Sequence, residues 1–210
     1  PVVMDTPYMA LVGLTTYRES QHIYGTASVN SGVIVQTADN IRIENLKVEC
    51  TNNSYILNEN HTDPAAFFPN VSFVYLTNQT FTGVSPNTFI KNCAFLANDT
   101  NAWSMRIGGD SNRISYGGAY ENCSGGKYAF GGRNFNILGA TFMNCTGGDY
   151  AFGGLYGWLY LSTFTNCTGG DYAFGGGSQS GALTATENCT YMRCIGGDYF
   201  FGGRGCTFAG

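Results

Sequence analysis

The chain has few charged residues. Asp, Glu, Lys and Arg make up only 11% of its 210 residues, against about a quarter in typical soluble proteins. Its formal net charge is −4 at pH 7, whereas nucleic-acid binding needs a basic patch or stripe. We therefore predict no nucleic-acid partner, and we expect the fold to depend on stacking and backbone hydrogen bonds more than on ion pairs.

Long apolar runs and metal-binding motifs are also missing. No apolar stretch reaches 18 residues, so no membrane-spanning helix is predicted. The only histidines are His22 and His61, and no Cys-x-x-Cys pair occurs, so no metal site is predicted. No motif indicates a cofactor. The sequence opens at Pro1 without methionine, and we interpret it as a fragment of a longer chain.

Glycine and aromatic residues are abundant instead, with 30 glycines, 14 tyrosines and 15 phenylalanines. Between Tyr120 and Gly203 one phrase occurs four times, as NCSGGKYAFGG, NCTGGDYAFGG twice, and a looser RCIGGDYFFGG. The cysteines of the phrase lie 22, 22 and 27 residues apart, at Cys123, Cys145, Cys167 and Cys194. A fixed period of this length predicts a solenoid, in which each repeat buries its apolar face against its neighbours.

The repeat composition indicates which solenoid this is. Paired glycines break helices, and the pieces between them, such as residues 149–152, alternate and are rich in Tyr and Phe, which predicts short strands. Roughly 22 residues at about 3.3 Å each make a circuit of some 70 Å. The sequence therefore predicts an all-β fold, a parallel β-helix of about 22 residues per coil in the C-terminal half, with three short strands and three turns in each coil.

Stacking about 4.8 Å apart places equal positions above one another. Four columns are therefore predicted: Cys123, Cys145, Cys167 and Cys194; Asn122, Asn144 and Asn166; Tyr128, Tyr150, Tyr172 and Tyr199; and Phe130, Phe152, Phe174 and Phe201. Tyr and Phe lie two residues apart and should share a face, with the residue between them facing the other way. Which face is internal stays open, although we expect at least the phenylalanine column inside. Stacked cysteines point in parallel, which favours free thiols over disulfides.

The chain is predicted to be one β-helix domain over residues 1–210. Residues 1–118 form irregular coils with loop excursions at 51–70 and 97–104, and residues 119–210 form the regular repeats. Early strands are expected at residues 2–4, 10–12, 33–35 and 41–43, with Asn45 as a turn between two strands. Extra residues around 186–190 are predicted to be an insertion at one corner.

Two phrases in the N-terminal half carry a family resemblance. PYMALVGL at residues 7–14 and NIRIENLKVEC at residues 40–50 resemble the pectin-lyase-like right-handed β-helices, over roughly residues 1–50 and 86–96. The resemblance implies right-handed, single-stranded winding, as the crossover rule also predicts. It implies almost nothing about activity.

Candidate chemical sites are weak. Asp149, Asp171 and Asp198 form an acidic row that could attract Ca²⁺, with a solvated corner as the alternative. Cleavage of a polysaccharide needs converging carboxylates, and the acids here are scattered. The candidates are Asp110 and Glu121 as catalytic acids, Trp103 for stacking on a sugar, and His61 with Glu59 and Asp63 on the long excursion, with plain loop solvation as the alternative.

Asn-x-Ser/Thr sequons are more frequent than composition predicts. Three of them, at Asn122, Asn144 and Asn166, belong to the repeat phrase and are better explained as a turn column. Another occurs at Asn188. Five lie on loop-like stretches and are the glycosylation candidates, with unmodified asparagine as the alternative: Asn52, Asn60, Asn70, Asn78 and Asn98.

The tandem NCTGGDYAFGG phrase resembles repeats of phage tail-fibre and tailspike-type structural proteins, over roughly residues 119–206. That resemblance implies a rigid shaft, often a homotrimer, that presents loops to a host surface. The function predicted is a structural or adhesive β-solenoid of a virion fibre or an extracellular filament, which self-associates and contacts cell-surface polysaccharide. The alternatives are a polysaccharide-degrading lyase or hydrolase of the tailspike type and a glycosylated secreted filament subunit. Enzymatic activity is not the favoured interpretation.

Overall fold

The structure, a computed structural model, describes residues 2–25, 32–50, 55–59, 65–75, 80–82, 87–97, 114–126, 130, 136–152, 158–174, 186–198 and 207–210. These residues form one short 3-10 helix, Arg18–Ser20, and short strands. In chain order the strands are β1 (Val2–Met4), β2 (Ala10–Val12), β3 (His22–Gly25), β4 (Gly32–Gln36), β5 (Ile41–Glu44), β6 (Lys47–Cys50), β7 (Tyr55–Glu59), β8 (Ala65–Pro69), β9 (Ser72–Tyr75), β10 (Thr80–Thr82), β11 (Asn87–Lys91), β12 (Ala94–Ala97), β13 (Ile114–Tyr116), β14 (Ala119–Glu121), β15 (Ser124–Gly125), β16 (Asn136–Leu138), β17 (Thr141–Met143), β18 (Trp158–Tyr160), β19 (Thr163–Thr165), β20 (Thr186–Glu187), β21 (Thr190–Met192) and β22 (Thr207–Ala209).

The described strands form four sheets. The largest, which we call the central sheet, has nine strands in the order β2-β5-β8-β11-β14-β17-β19-β21-β22. Two four-stranded sheets, β1-β4-β7-β10 and β13-β16-β18-β20, and a five-stranded sheet, β15-β12-β9-β6-β3, complete the set. Strand pairing is parallel in every sheet, as shown by the pairs β2–β5, β3–β6, β4–β7 and β13–β16. The all-β, parallel architecture predicted from the sequence is confirmed.

Alternating apolar and polar residues explain why the central strands form, as β5 shows. In β5, Ile41 and Ile43 are buried and Arg42 between them is exposed. Asn45 follows with φ 55°, a left-handed conformation that asparagine tolerates better than most residues. The turn ends β5 and lets β6 begin two residues later, as predicted.

Two columns of stacked rings fill the core of the regular repeats. Phe130, Phe152 and Phe174 are fully buried, and their ring centroids lie 4.9 and 4.8 Å apart, so the predicted internal phenylalanine column is confirmed for these three residues. A second column was not predicted, and it has centroid spacings of 4.5–5.3 Å; its members are Tyr120, Phe142, Phe164, Tyr191 and Phe208. Rings of the two columns meet edge to face, as Phe152 and Phe164 do at 77°. Such pairs add roughly 0.5–1.5 kcal/mol each beyond area burial.

The strand predicted over residues 149–152 is wrong. These residues form a turn, and Tyr150 lies at its centre with φ 55°. The left-handed residue interrupts the extended backbone, so two-residue alternation does not apply, and Ala151 and Phe152 are both fully buried. Gly147 permits this turn, because a Cβ there would lie 2.2 Å from the Cβ of Ala151.

One boundary prediction also needs correction. The excursion predicted at 51–70 contains two strands, β7 and β8, both paired with strands on either side. Phe67 and Phe68 supply the strand-forming residues there, despite the polar residues around them. The predicted excursion at 97–104 falls almost wholly outside the described residues.

The insertion predicted at 186–190 is wrong as well. Thr186 pairs with Leu159, and Thr190 pairs with Thr163, so both positions lie on regular strands. Phe152 and Leu159 are 7 residues apart, whereas their counterparts Phe174 and Thr186 are 12 apart. The five extra residues therefore lie between 174 and 186.

Candidate functional site

Asparagines mark the turns that follow six of the nine described central strands. From β5 to β19, six successive strands of the central sheet are each followed directly by an asparagine with φ between 52° and 59°, namely Asn45, Asn70, Asn92, Asn122, Asn144 and Asn166. Arg193 takes the same position and conformation after β21, with φ 51°. The predicted column of three is confirmed and is twice as long as expected. The sequence feature that could have predicted Asn45, Asn70 and Asn92 is an asparagine that follows an alternating strand and precedes an apolar residue.

Side-chain hydrogen bonds run along this asparagine column. The Nδ2 of Asn144 donates to Oδ1 of Asn122 at 3.0 Å, and Nδ2 of Asn166 donates to Oδ1 of Asn144 at 3.1 Å. Asn70 donates to Oδ1 of Asn45 at 2.8 Å. Amides in this position serve as bridges between successive repeats.

The hydrogen bonds of the asparagine column bear on whether the sequon at Asn70 is glycosylated. Its Nδ2 also donates to the backbone oxygen of Thr16 at 2.7 Å, so both amide hydrogens are used. A glycan on this nitrogen would replace one of them, so the geometry favours the unmodified side chain. The other glycosylation candidates, Asn52, Asn60, Asn78 and Asn98, lie outside the described residues.

The aspartate row bonds to backbone rather than to a cation. Oδ1 of Asp149 accepts the backbone N–H of Asp171 at 3.0 Å, and Oδ1 of Asp171 accepts that of Asp198 at 2.8 Å. Each carboxylate thus caps the turn of the next repeat. Within the part of the chain that the structure describes, no group of three or more Asp, Glu, His or Cys side chains is arranged to hold a metal ion.

Glu121 is the one catalytic candidate that the structure describes. Its Oε1 lies 2.9 Å from Nζ of Lys91 on the neighbouring strand β11 and accepts a hydrogen bond from Nδ2 of Asn122 at 3.3 Å. This pairing holds the carboxylate on the outer face of the central sheet. Its proposed partner Asp110, together with Trp103, His61 and Asp63, lies outside the described residues.

Among the described residues, a dense group of charges lies in the N-terminal half. Oε2 of Glu49 is 3.1 Å from Nε2 of His22 and 3.6 Å from Nζ of Lys47. Lys47 also lies 3.9 Å from Oε2 of Glu19. Each acid of this group lies beside a base, an arrangement typical of a paired surface and not of two carboxylates facing a substrate.

Free cysteines form an internal column. Cys123, Cys145 and Cys167 are fully buried, and Cys93 extends the column by one repeat. Each thiol donates to a backbone oxygen of the preceding repeat, as Cys167 does to Phe142 at 3.5 Å. The prediction of reduced, stacked thiols is confirmed for these residues and for the half-buried Cys194.

The pKa values of the buried thiols in this column are raised. Burial raises the pKa of the Cys123 thiol. The hydrogen bond from its neighbour Cys123 raises the pKa of Cys145 to about 12, and contact with Cys145 likewise raises the pKa of Cys167 to about 12. Because only the thiolate is a good nucleophile or metal ligand, these residues serve in packing.

The tyrosine column is confirmed where it can be seen. Tyr150 and Tyr172 stack with centroids 5.1 Å apart and ring planes within 3°, whereas Tyr128, Tyr199 and Phe201 lie outside the described residues.

A shallow open depression lies beside the end of β22, lined by Thr165, Met192, Arg193, Ala209 and Gly210. Its described lining offers one cationic side chain and no acidic side chain, whereas glycoside hydrolysis uses a pair of acidic side chains.

Comparison with known proteins adds no family. No protein-family model, no curated protein and no solved structure matches this chain. In the described residues, no helix is long and apolar enough to cross a membrane.

Proposed function

We propose that the chain winds once per repeat into a right-handed, single-stranded parallel β-solenoid that serves as a rigid structural shaft. Consecutive repeats contribute one strand each to the central sheet in unbroken order, and the buried residues form a single core cluster from Met4 to Tyr191. Right-handed crossovers are the rule for parallel strands. The strand order and the shared core both support winding around one interior.

One observation carries the proposal of a structural role. The same side-chain types repeat their contacts from one repeat to the next: asparagine to asparagine, aspartate to backbone, thiol to carbonyl, ring to ring. Each of these contacts ties one repeat to its neighbour. A stack built from axial contacts of this kind resists bending, which suits the shaft of a virion fibre or an extracellular filament.

The outer face of the central sheet, from β17 to β22, is the proposed adhesive surface. Four threonines stand in register on it, outside the buried rings: Thr141, Thr163, Thr190 and Thr207. The next outward row carries Met143 and Met192, exposed by 39% and 37%. Hydroxyl groups beside apolar surface suit the hydroxyl groups and C–H faces of a cell-surface polysaccharide, the proposed ligand class.

Self-association along the sides of the shaft is also proposed. Phe67 on β8 is 40% exposed and lies three strands away from Thr141, outside the proposed adhesive surface, and Leu96 on β12 is 45% exposed. Large apolar side chains exposed in several repeats are typical of surfaces that meet another copy. Sedimentation should then give a mass of two or three chains, with a homotrimer as the form that the tail-fibre resemblance implies.

To test this proposal, the purified chain is incubated with capsular polysaccharides, and both binding and the chain length of the polysaccharide are measured. Retention of a polysaccharide without any change in its chain length is the expected result. Shortened polysaccharide would contradict a structural role and support the lyase or hydrolase alternative. Asp110→Asn and Glu121→Gln would then test whether these two carboxylates perform the cleavage.

A further inference from the structure

The connection between β2 and β3 differs from the connections at the same place in later repeats. Two residues join β5 to β6, β8 to β9 and β11 to β12, and an asparagine is the first of each pair. Nine residues, 13–21, join β2 to β3, and they include the 3-10 helix Arg18–Ser20. We call residues 13–21 the strap.

The strap begins and ends on the second repeat. The backbone N–H of Gly13 donates to the oxygen of Glu44 at 2.8 Å, and the oxygen of Gln21 accepts the N–H of Lys47 at 2.8 Å. A Cβ at Gly13 would lie 2.0 Å from the backbone oxygen of Asn45. Only glycine allows the chain to approach the asparagine column this closely.

The middle of the strap reaches further along the column. Nδ2 of Asn70, in the third repeat, donates to the oxygen of Thr16 at 2.7 Å. Nη1 of Arg18 donates to Oδ1 of Asn70 at 3.4 Å and to the backbone oxygen of Asn92, in the fourth repeat. Glu19 lies 3.5 Å from Nε of Arg18 and helps to orient the guanidinium group.

These contacts break the usual rule for stacked repeats. Each repeat of such a stack normally contacts only its neighbours, and opening can therefore proceed one repeat at a time from an end. Arg18 instead joins the first repeat to the fourth. In the later repeats Asn122, Asn144 and Asn166 are exposed, so the same column there continues without a strap among the described residues.

We propose that the strap is a clamp that makes the first four strands of the central sheet, β2, β5, β8 and β11, open as one unit, with Arg18 as its principal contact. The clamp works by holding the turn asparagines of the third and fourth repeats from the first. It is independent of the proposed function, because it concerns the unit of opening and not what the shaft binds.

Hydrogen exchange of the whole chain in mild urea tests the clamp. The wild type should exchange the amides of β2 and β11 through the same opening, with equal urea dependence. Arg18→Ala should raise the exchange rate of β2 about tenfold or more, since a charge-assisted hydrogen bond is lost, and should leave β17 and β19 unchanged. Arg18→Lys keeps the charge without the guanidinium geometry and should give a smaller increase.

Arg42→Ala is the matched control. Arg42 is another arginine of the N-terminal half, and among the described residues its side chain pairs only with Glu44 on its own strand β5, so exchange of β2 should stay within about twofold of the wild type. The clamp is overturned if Arg18→Ala leaves β2 unchanged or accelerates β2 and β17 equally. It is also overturned if β2 already opens before β11 in the wild type. Should Arg18→Ala fail to fold, Arg18→Lys carries the test with the same outcomes.

Discussion

Oδ1 of Asp149 accepts the backbone N–H of Asp171 at 3.0 Å, from the equivalent position one repeat earlier. The side chain crosses directly over the turn of the next repeat. A Cβ at Gly170 would lie 2.3 Å from this oxygen. The Gly-Gly-Asp phrase is therefore one structural unit, in which the glycines leave room for the carboxylate of the preceding repeat.

Gly170→Ala should lower the free energy of unfolding by about 1–3 kcal/mol, the usual effect of overpacking. The new methyl group meets Oδ1 of Asp149 and, at 2.9 Å, its backbone nitrogen. Urea unfolding measures the loss. Because part of the clash is with the side chain, the same substitution should cost less in an Asp149→Ala background, and strict additivity of the two changes would contradict the packing described.

Asn144 tests the asparagine column. Replacement by glycine keeps the left-handed backbone and removes hydrogen bonds to Asn122 and Asn166, which should cost about 1–2 kcal/mol. Replacement by alanine adds the left-handed strain of about 1–2 kcal/mol. Thermal unfolding should therefore rank wild type above Asn144→Gly and Asn144→Gly above Asn144→Ala. An alanine variant as stable as the glycine variant would refute the role of φ here.

The sequence predicts the columns well because residues one period apart occupy equivalent positions in adjacent repeats and therefore lie next to each other. Cys145, Asn144 and Phe152 lie where the 22-residue spacing places them. The same spacing also relates Phe142 to Phe164, and the column that they form was missed because these residues lie just outside the repeated phrase. The 22-residue period predicts stacking at every position of the repeat, including positions outside the repeated phrase.

Backbone conformation was harder to predict than spacing. Tyr150 looks like a strand residue, and aromatic residues favour strands, yet the buried turn at Ala151 overrides that preference. Strands β7 and β8 were not predicted within residues 51–70, because polar residues flank the short apolar segments there. The candidate site residues Trp103 and Asp110 lie outside the described residues and stay predictions.

Ser72 tests the cost of a buried hydroxyl group. Its Oγ is fully buried and has no hydrogen-bond partner among the residues that the structure describes, and the next repeat has Ala94 in register with it. Ser72→Ala should therefore raise the free energy of unfolding by about 1 kcal/mol. The control is Ser162→Ala, since Ser162 is equally buried but bonds to Ala140 and Tyr160; that variant should be destabilised. A loss of stability in both would show that the Ser72 hydroxyl group is satisfied.

The thiol column gives a pH dependence. The pKa of Cys145 rises from 9.0 to about 12 in the folded chain, so the folded state keeps a proton that the unfolded state loses in this window. Stability should be fully present below pH 9 and fall as the pH rises towards 12.

The control for the pH experiment is a chain with Cys145→Ala and Cys167→Ala. Tyrosines and lysines titrate in both chains, so the difference between the two pH profiles isolates the thiols. The wild type should lose stability more steeply above pH 9. Parallel profiles would mean that the two thiols titrate alike in the folded and unfolded states.

Distances along the outer face of the central sheet test most directly whether the repeats stack in order. Nitroxide labels, attached through a non-cysteine handle, would be placed at Arg42 and at one of Thr141, Thr163 or Thr207, and measured by pulsed electron resonance. Successive register pairs separate these sites by four, five and seven strands. At about 4.8 Å per strand the account predicts backbone separations of roughly 19, 24 and 34 Å. Label distances that fail to increase in that order would contradict it.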